Sequence, residues 1–245
     1  LSLMRDWEEL ANQLAQSKSW QGYSNRHSPY TALLADWVLA DSSSQQDQSR
    51  QLLQLLWRRF SWTGAYNIFP QKSLKELVRS RHGNSFEQNM LYCMLLRELG
   101  ISAWPVITST RDNGKLVREL PLLSQCNHVV VQYIADGDTL LSDATAPWLA
   151  PGELPMESAS SWGYRIATDE AAWVALPAKA RSEIRWQLQL RFDSTLHPQV
   201  IAQRWLKRYG LRGQDPSRAL LQADEYKVLQ QLEQRGFEVS AVSLL

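Results

Sequence analysis

The chain has only two cysteines, Cys93 and Cys126, in 245 residues. So few thiols exclude a disulfide framework and a four-cysteine zinc site, and leave at most one bridge between them. Its four histidines, His27, His82, His128 and His197, are scattered without metal-ligand spacing, so no metal or other cofactor is expected. An excess of either charge is also missing. The 26 Lys and Arg residues against 25 Asp and Glu give a net charge of +1, with no long basic run, and nucleic acid is therefore not an expected partner. The local group Arg204, Lys207, Arg208 and Arg212 reads as a solvated face. No stretch of about 18 apolar residues occurs, nor a signal-peptide pattern at Leu1-Ser2-Leu3-Met4, so membrane insertion of this segment is not expected. Without an initiator Met, and entering helical periodicity almost at once, the segment is expected to be a piece of a longer protein.

What is present is an ordinary globular balance, 44% apolar and 21% charged, with eleven tryptophans that call for an aromatic-rich interior or groove. Apolar residues recur at helical spacing at Trp7, Leu10 and Leu14, then at Tyr30, Leu33, Leu34, Trp37 and Val38, and again at Leu52, Leu53, Leu56, Trp57 and Phe60. Three helices are expected, with the Ser/Gln-rich stretch 41–49 as a surface loop before the third. Ser73 and Glu76 have capping-box spacing for a short helix reaching Val78. A longer helix is expected from about Ser85 to Leu99, with Ser85 and Gln88 placed to cap its start and Gly100 to end it.

Strands are then expected at 103–108, 129–134 and 139–143, the last two joined by a tight turn at Asp136-Gly137. Helices before strands in this order predict an α+β fold. Pro147, Pro151 and Pro155 punctuate what reads as an irregular connector reaching Trp173 and Val174. Beyond Pro177, the alternation of Ile184, Trp186, Leu188, Leu190 and Phe192 predicts a strand, followed by a strand or helix over 200–209 and a helix over 217–235. The expected division is therefore a domain at 1–178, helical to 100 and sheet from 101, and a C-terminal strand-strand-helix piece at 179–245 that would open a following β-rich domain.

Three residues in this pattern suggest chemistry. A nucleophile at a helix N-terminus gains from the free N–H groups and dipole there, and Ser85 occupies such a place. His128 begins one strand and Asp143 ends the next, and the turn at 136–137 would bring them within about two residues of register. An imidazole so placed can act as a general base, with the carboxylate fixing its tautomer.

Gly83-Asn84-Ser85 with Glu87 and Asn89, Leu95-Leu96-Arg97-Glu98-Leu99-Gly100-Ile101, Ala103-Trp104-Pro105-Val106, Asn127-His128-Val129-Val130 and Leu141-Ser142-Asp143-Ala144-Thr145 resemble, in order and spacing, the transglutaminase-like superfamily of papain-like fold. The resemblance implies N-terminal helices packed on an antiparallel sheet. It also implies a catalytic set at the positions of Ser85, His128 and Asp143. With Ser109 to Gly114 and Gly152-Glu153-Leu154-Pro155, the chain is similar to a variant, commonly lacking the cysteine, found in exported bacterial proteins of uncharacterised function. That likeness implies a periplasmic or otherwise exported location.

The departure from the family falls on the nucleophile. A thiol of pKa about 8.5 is brought to thiolate by a helix terminus and an imidazolium. A serine hydroxyl instead needs concerted proton removal and a tuned oxyanion hole. Ser85 is therefore read as a helix cap rather than a nucleophile, and the His128–Asp143 pair as a structural remnant. Cys126, two residues before His128, is the alternative thiol, although a packed small hydrophobe is the expected role; Cys93, about 12 Å along the helix, is core. Asn84, Gln88, Asn127 and Cys126 are candidates to line a cleft, with Trp104, Trp148 or Trp162 as its walls. The expected function is a non-catalytic module that binds a peptide, a glycan or another domain of its own chain. The alternatives are a Ser85-His128-Asp143 hydrolase or acyltransferase acting on amides or esters, and a purely structural spacer.

Overall fold

The computed structural model describes residues 5–24, 30–35, 37, 44–146, 149, 151–159, 161–168, 170–177, 183–192 and 198–207, with Ser161 and the last two segments described by backbone alone. All of them lie in the first of two units into which the chain divides, Leu1–Arg212 and Gly213–Leu245. The helix expected over 217–235 lies outside the described residues. In chain order the elements are α1 (Trp7–Gln16), α2 (Lys18–Ser24), α3 (Tyr30–Ala35), α4 (Gln45–Arg59), β1 (Ser61–Trp62), α5 (Leu74–Ser80), β2 (His82–Gly83), α6 (Ser85–Glu98) and β3 (Ala103–Thr108). A short 3-10 turn (Leu123–Gln125) follows, then β4 (His128–Ala135), β5 (Asp138–Ser142), β6 (Ser161–Arg165), β7 (Ala172–Leu176), β8 (Glu183–Phe192) and β9 (Pro198–Lys207).

Helix α6 is the centre of the fold. Its sequence is apolar on nearly every side, and twelve of its fourteen residues are buried, as expected of a helix enclosed by other elements rather than lying on a surface. It packs against β3 and β4 and also against α2, α3 and α4. Phe86 from its first turn receives the edges of Trp20 and Tyr23, with ring centroids 5.0 and 5.4 Å away. The helix ends at Gly100, whose φ of 77° lies in the left-handed region that glycine adopts without strain.

Strands β3 to β7 form one antiparallel sheet in the order β5-β4-β3-β6-β7. Ala103, Ile107, Val129, Val131, Tyr133 and Ala135 belong to the helical core, whereas Val106, Val130, Val174 and Leu176 form a second core with Leu154 and Ala159. A sheet covered on both faces explains why β4 reads as a nearly unbroken apolar run. The β4–β5 turn at Asp136-Gly137 has positive φ at both residues, 52° and 84°, as the tightest hairpin turns require. β8 and β9 pair only with each other, from Glu183↔Lys207 to Phe192↔Pro198, so 200–209 is a strand where it is described.

Several boundaries differ from expectation. α4 starts at Gln45, inside the stretch 41–49 expected to be a loop, and Ser49 is fully buried. The reason is tertiary: the Asp136 carboxylate, 91 residues on in sequence, accepts from the Gln45 and Gln46 backbone N–H groups at 2.9 and 3.1 Å and from the Ser44 hydroxyl at 2.8 Å. These hydrogen bonds to the charged form hold the Asp136 carboxyl below its usual range. α2 is not among the expected helices, and α3 is described over Tyr30–Ala35, with Trp37 in a bend and Val38 outside the described residues. The stretch read as an irregular connector contains β6 and β7, with β6 seated beside β3. Gly163 allows that pairing, because a Cβ there would lie 2.6 Å from Val106 Cγ1 and 3.0 Å from the Ile107 carbonyl oxygen.

Candidate functional site

The N-terminus of α6 is built by two residues other than those expected to cap it. Asn84 is the N-cap: its Oδ1 accepts from the Glu87 N–H at 2.9 Å, while Glu87 Oε2 accepts from the Asn84 N–H at 2.8 Å. Glu87 is buried, and its other oxygen accepts from the backbone N–H groups of Gln71 and Lys72 at 2.9 and 2.6 Å. Asn84 Nδ2 adds a bond to the Phe69 carbonyl at 2.9 Å. These bonds draw the chain at 65–72 across the helix start. Gly83 makes room for them, since a Cβ there would come within 3.0 Å of Glu87 Cβ.

Ser85 is thus the first helical residue rather than the cap, and it is fully buried. Its N–H donates to the Ala65 carbonyl at 3.0 Å. Its hydroxyl donates to the Asn67 carbonyl at 3.1 Å and accepts from the Asn67 N–H at 2.9 Å. Gln88 is not part of the cap either; its Nε2 donates to the Ser61 carbonyl at 3.0 Å, fixing β1 beside the helix.

His128 and Asp143 do meet. β4 and β5 pair up to Val131↔Ser142, so continuing that register sets Asp143 against Val130, two residues from His128. His128 Nε2 lies 2.8 Å from Asp143 Oδ2, and both side chains are fully buried. Ser158 donates to the same carboxylate oxygen at 2.7 Å. The other oxygen accepts from Asn89 Nδ2 at 3.1 Å, the Thr145 N–H at 2.9 Å and the Thr145 hydroxyl at 2.7 Å. Burial pushes the Asp143 pKa up, but the charge and hydrogen bond of His128, with the Ser158 and Thr145 hydroxyls, outweigh it and hold the carboxyl well below its usual range.

Asn89 joins the two halves of the site. Its Nδ2 also donates to the Ser85 carbonyl at 3.0 Å, and its Oδ1 accepts from the Ala144 N–H at 2.8 Å. The carboxylate can only accept, so His128 Nε2 carries the proton, and Nδ1 is the ring atom left for chemistry. His128 Nδ1 is buried and has no hydrogen-bond partner among the described residues. The Ser85 hydroxyl is turned to Asn67 instead, and the Tyr66 ring packs on the imidazole with centroids 4.8 Å apart. The arrangement is a base-and-orienter pair linked through Asn89 to a serine whose hydroxyl is engaged elsewhere.

The remaining candidates are dispersed. Asn127 is next to the site in sequence, but its side chain fastens Thr110, through bonds of 2.8 Å to the Thr110 N–H and hydroxyl. Cys126 ends the 3-10 turn and is not on the strand with His128; burial pushes its thiol up to about 12, which suits a packed small hydrophobe and disfavours the alternative thiol. Burial likewise pushes Cys93 up to about 11, and both thiols are free. Trp104 stands four residues from Thr108, which pairs with His128, and so about 13 Å from the site by strand rise, under the guanidinium of Arg165. Trp148 lies outside the described residues, and Trp162 is half-exposed on β6.

Asn67, Tyr66, Thr145 and Ser158 were not singled out from the sequence, and Asn89 was given no role there. Asn89 carried the one usable signal, an amide four residues from Ser85 on an otherwise apolar helix, which burial obliges to find partners. Among the described residues, no group of three or more His, Cys, Asp or Glu is placed to hold a metal ion, and no helix is long and apolar enough to cross a membrane.

No curated protein matches the chain. Among solved structures, a crystal structure of a "putative protease" from Parabacteroides distasonis is similar to it at a TM-score of 0.46 and 12% identity, covering 72% of this chain. The match takes in 32% of that protein, so the chain spans about a third of its length. A family model described as the transglutaminase-like superfamily matches residues 32–142, from within α3 to the end of β5 and including Ser85 and His128. Residues 32–142 of this α+β chain are thus similar to a transglutaminase-like core, with Asp143 the first residue beyond the matched span.

Proposed function

We propose that this is a non-catalytic transglutaminase-like domain, acting as a binding or interaction module in a larger exported bacterial protein. One observation carries the non-catalytic part: both hydrogen-bonding directions of the buried Ser85 hydroxyl are taken by the backbone of Asn67. Acyl transfer needs the hydroxyl proton on His128 as attack proceeds, and a carbonyl carbon within about 3–3.5 Å of Oγ. The Asn67 backbone holds the hydroxyl instead. Reaching them would break two hydrogen bonds and lift the chain at 65–72, which Glu87 and Asn84 hold down. The likeness to cysteine-lacking exported bacterial proteins supports the periplasmic or exported placement.

A Ser85-His128-Asp143 hydrolase or acyltransferase is the competing reading, and the observation that favours it is the buried His128 Nδ1, which has no hydrogen-bond partner among the described residues. Comparing the intact chain with Ser85→Ala on a panel of activated esters and amides separates the two. Equal background rates are expected, and turnover that depends on Ser85 would overturn the proposal.

A further inference from the structure

The loop between β3 and β4 presents a cation on a built platform. Gln125 clamps it: Oε1 accepts from the Val117 N–H at 2.7 Å, and Nε2 donates to the Val117 and Leu120 carbonyls at 3.3 and 2.5 Å. Asn113 Nδ2 adds bonds to Ser109 Oγ at 2.9 Å and to the Gln125 carbonyl at 3.0 Å. Within the clamped turn, the carbonyl of Arg118 accepts from Trp7 Nε1 at 2.7 Å. The guanidinium carbon rests 4.6 Å from the Trp162 ring centre and 4.7 Å from that of Trp173.

The two indoles come from paired strands, since Trp162 lies opposite Ala175 and Trp173 opposite Tyr164. Trp173 is in turn braced by Trp7 and Tyr164, at 5.0 and 5.1 Å between ring centres. Arg118 is therefore positioned by backbone, clamp and aromatic contact, which lowers the ordering cost of using it. Yet among the described residues no carboxylate or other acceptor takes its N–H groups, and the residue is exposed. Beside it Val117, Leu120 and Trp162 are 43, 50 and 38% exposed.

We infer that Arg118 anchors a docking site for a peptide segment carrying an Asp or Glu side chain between apolar residues. A guanidinium already stacked on rings offers its in-plane N–H fork, and a carboxylate matches that fork bidentately. The exposed Val117, Leu120 and Trp162 suit the apolar neighbours of such a side chain. A phosphate dianion is served by clusters of arginines, whereas here one guanidinium rests on the two indoles, a match for the single charge of a carboxylate. The site is formed by the β3–β4 loop, β6 and β7, and does not depend on whether Ser85 is inert.

Fluorescence anisotropy with the intact chain tests it, using dye-labelled, acetylated and amidated Ala-Gly-Leu-Glu-Leu-Gly-Ala and its counterpart with Gln in place of Glu. The Glu peptide is expected to bind at least about tenfold more tightly than the Gln peptide. Arg118→Gln should erase that preference, Arg118→Lys should cut it several-fold because lysine lacks the fork, and Leu120→Ser should weaken both peptides alike. Thermal unfolding identifies any variant that fails to fold, and should Arg118→Gln be one, Arg118→Lys and Leu120→Ser decide. No saturable binding of the Glu peptide, equal binding of the two peptides, or a preference that survives Arg118→Gln would each overturn the assignment. Displacement of the peptide by inorganic phosphate in preference to acetate would also overturn it, as the mark of a phosphate site.

Discussion

Asp143 and Ser85 are both tied to Asn89, yet they are held in opposite ways. The Asp143 carboxylate accepts five hydrogen bonds from His128, Asn89, Thr145 and Ser158, joining β4, α6 and the chain beyond β5. The Ser85 hydroxyl makes two, both to the backbone of Asn67 in a loop. The first half ties three parts of the fold together whether or not any reaction follows. The second rests on backbone atoms of a single residue. A paired imidazole and carboxylate is thus weak support for activity by itself, because a role in folding would account for it equally.

The contrast is broken most forcefully at Asp143. Asp143→Ala would leave the His128 Nε2–H and four further donors unmet in the interior, and a loss of about 3–5 kcal/mol is expected in urea unfolding. If the loss is under about 1 kcal/mol, the knot is not structural. The same residue sets a pH dependence. Its folded pKa is depressed, so its contribution is whole above the ordinary aspartate value of about 3.9 and is lost as pH falls from there through the lower folded value. Below about pH 4 the stability of the wild-type chain should fall more steeply than that of Asp143→Asn.

Next in size is Glu87→Ala, which strands the N–H groups of Gln71, Lys72 and Asn84 and should cost about 2–3 kcal/mol. It should also loosen the chain at 65–72, which hydrogen exchange at Asn67 would report as faster than in the wild type. The smallest effect is the most diagnostic. Ser85→Ala should lower stability by about 1 kcal/mol through the lost Asn67 contacts, whereas a hydroxyl kept strained for chemistry would leave stability unchanged or raised on removal. Thermal unfolding of the pair distinguishes these signs.

Much of this was legible in the sequence where local chemistry decides. The Ser73–Glu76 capping box, the Asp136-Gly137 hairpin and the pairing of His128 with Asp143 each follow from spacing over fewer than twenty residues. What escaped depends on distant partners. The polar start of α4 is helical because Asp136 caps it from the hairpin, and β6, with Gly163 at its middle, is a strand because β3 lies beside it. The cap of α6 was misplaced by one residue because serine and asparagine both serve that role, and Glu87 selects Asn84 through contacts that also hold the loop. The hold of Asn67 on Ser85 uses backbone atoms alone, which no residue type announces.

The measurement that bears most directly on the inert nucleophile is intact-mass analysis of the folded chain after prolonged exposure to a fluorophosphonate, with Ser85→Ala and His128→Ala treated in parallel. No adduct at Ser85 is expected, leaving the three proteins indistinguishable. Stoichiometric labelling of Ser85 that disappears in His128→Ala would show a working serine nucleophile and contradict the non-catalytic reading.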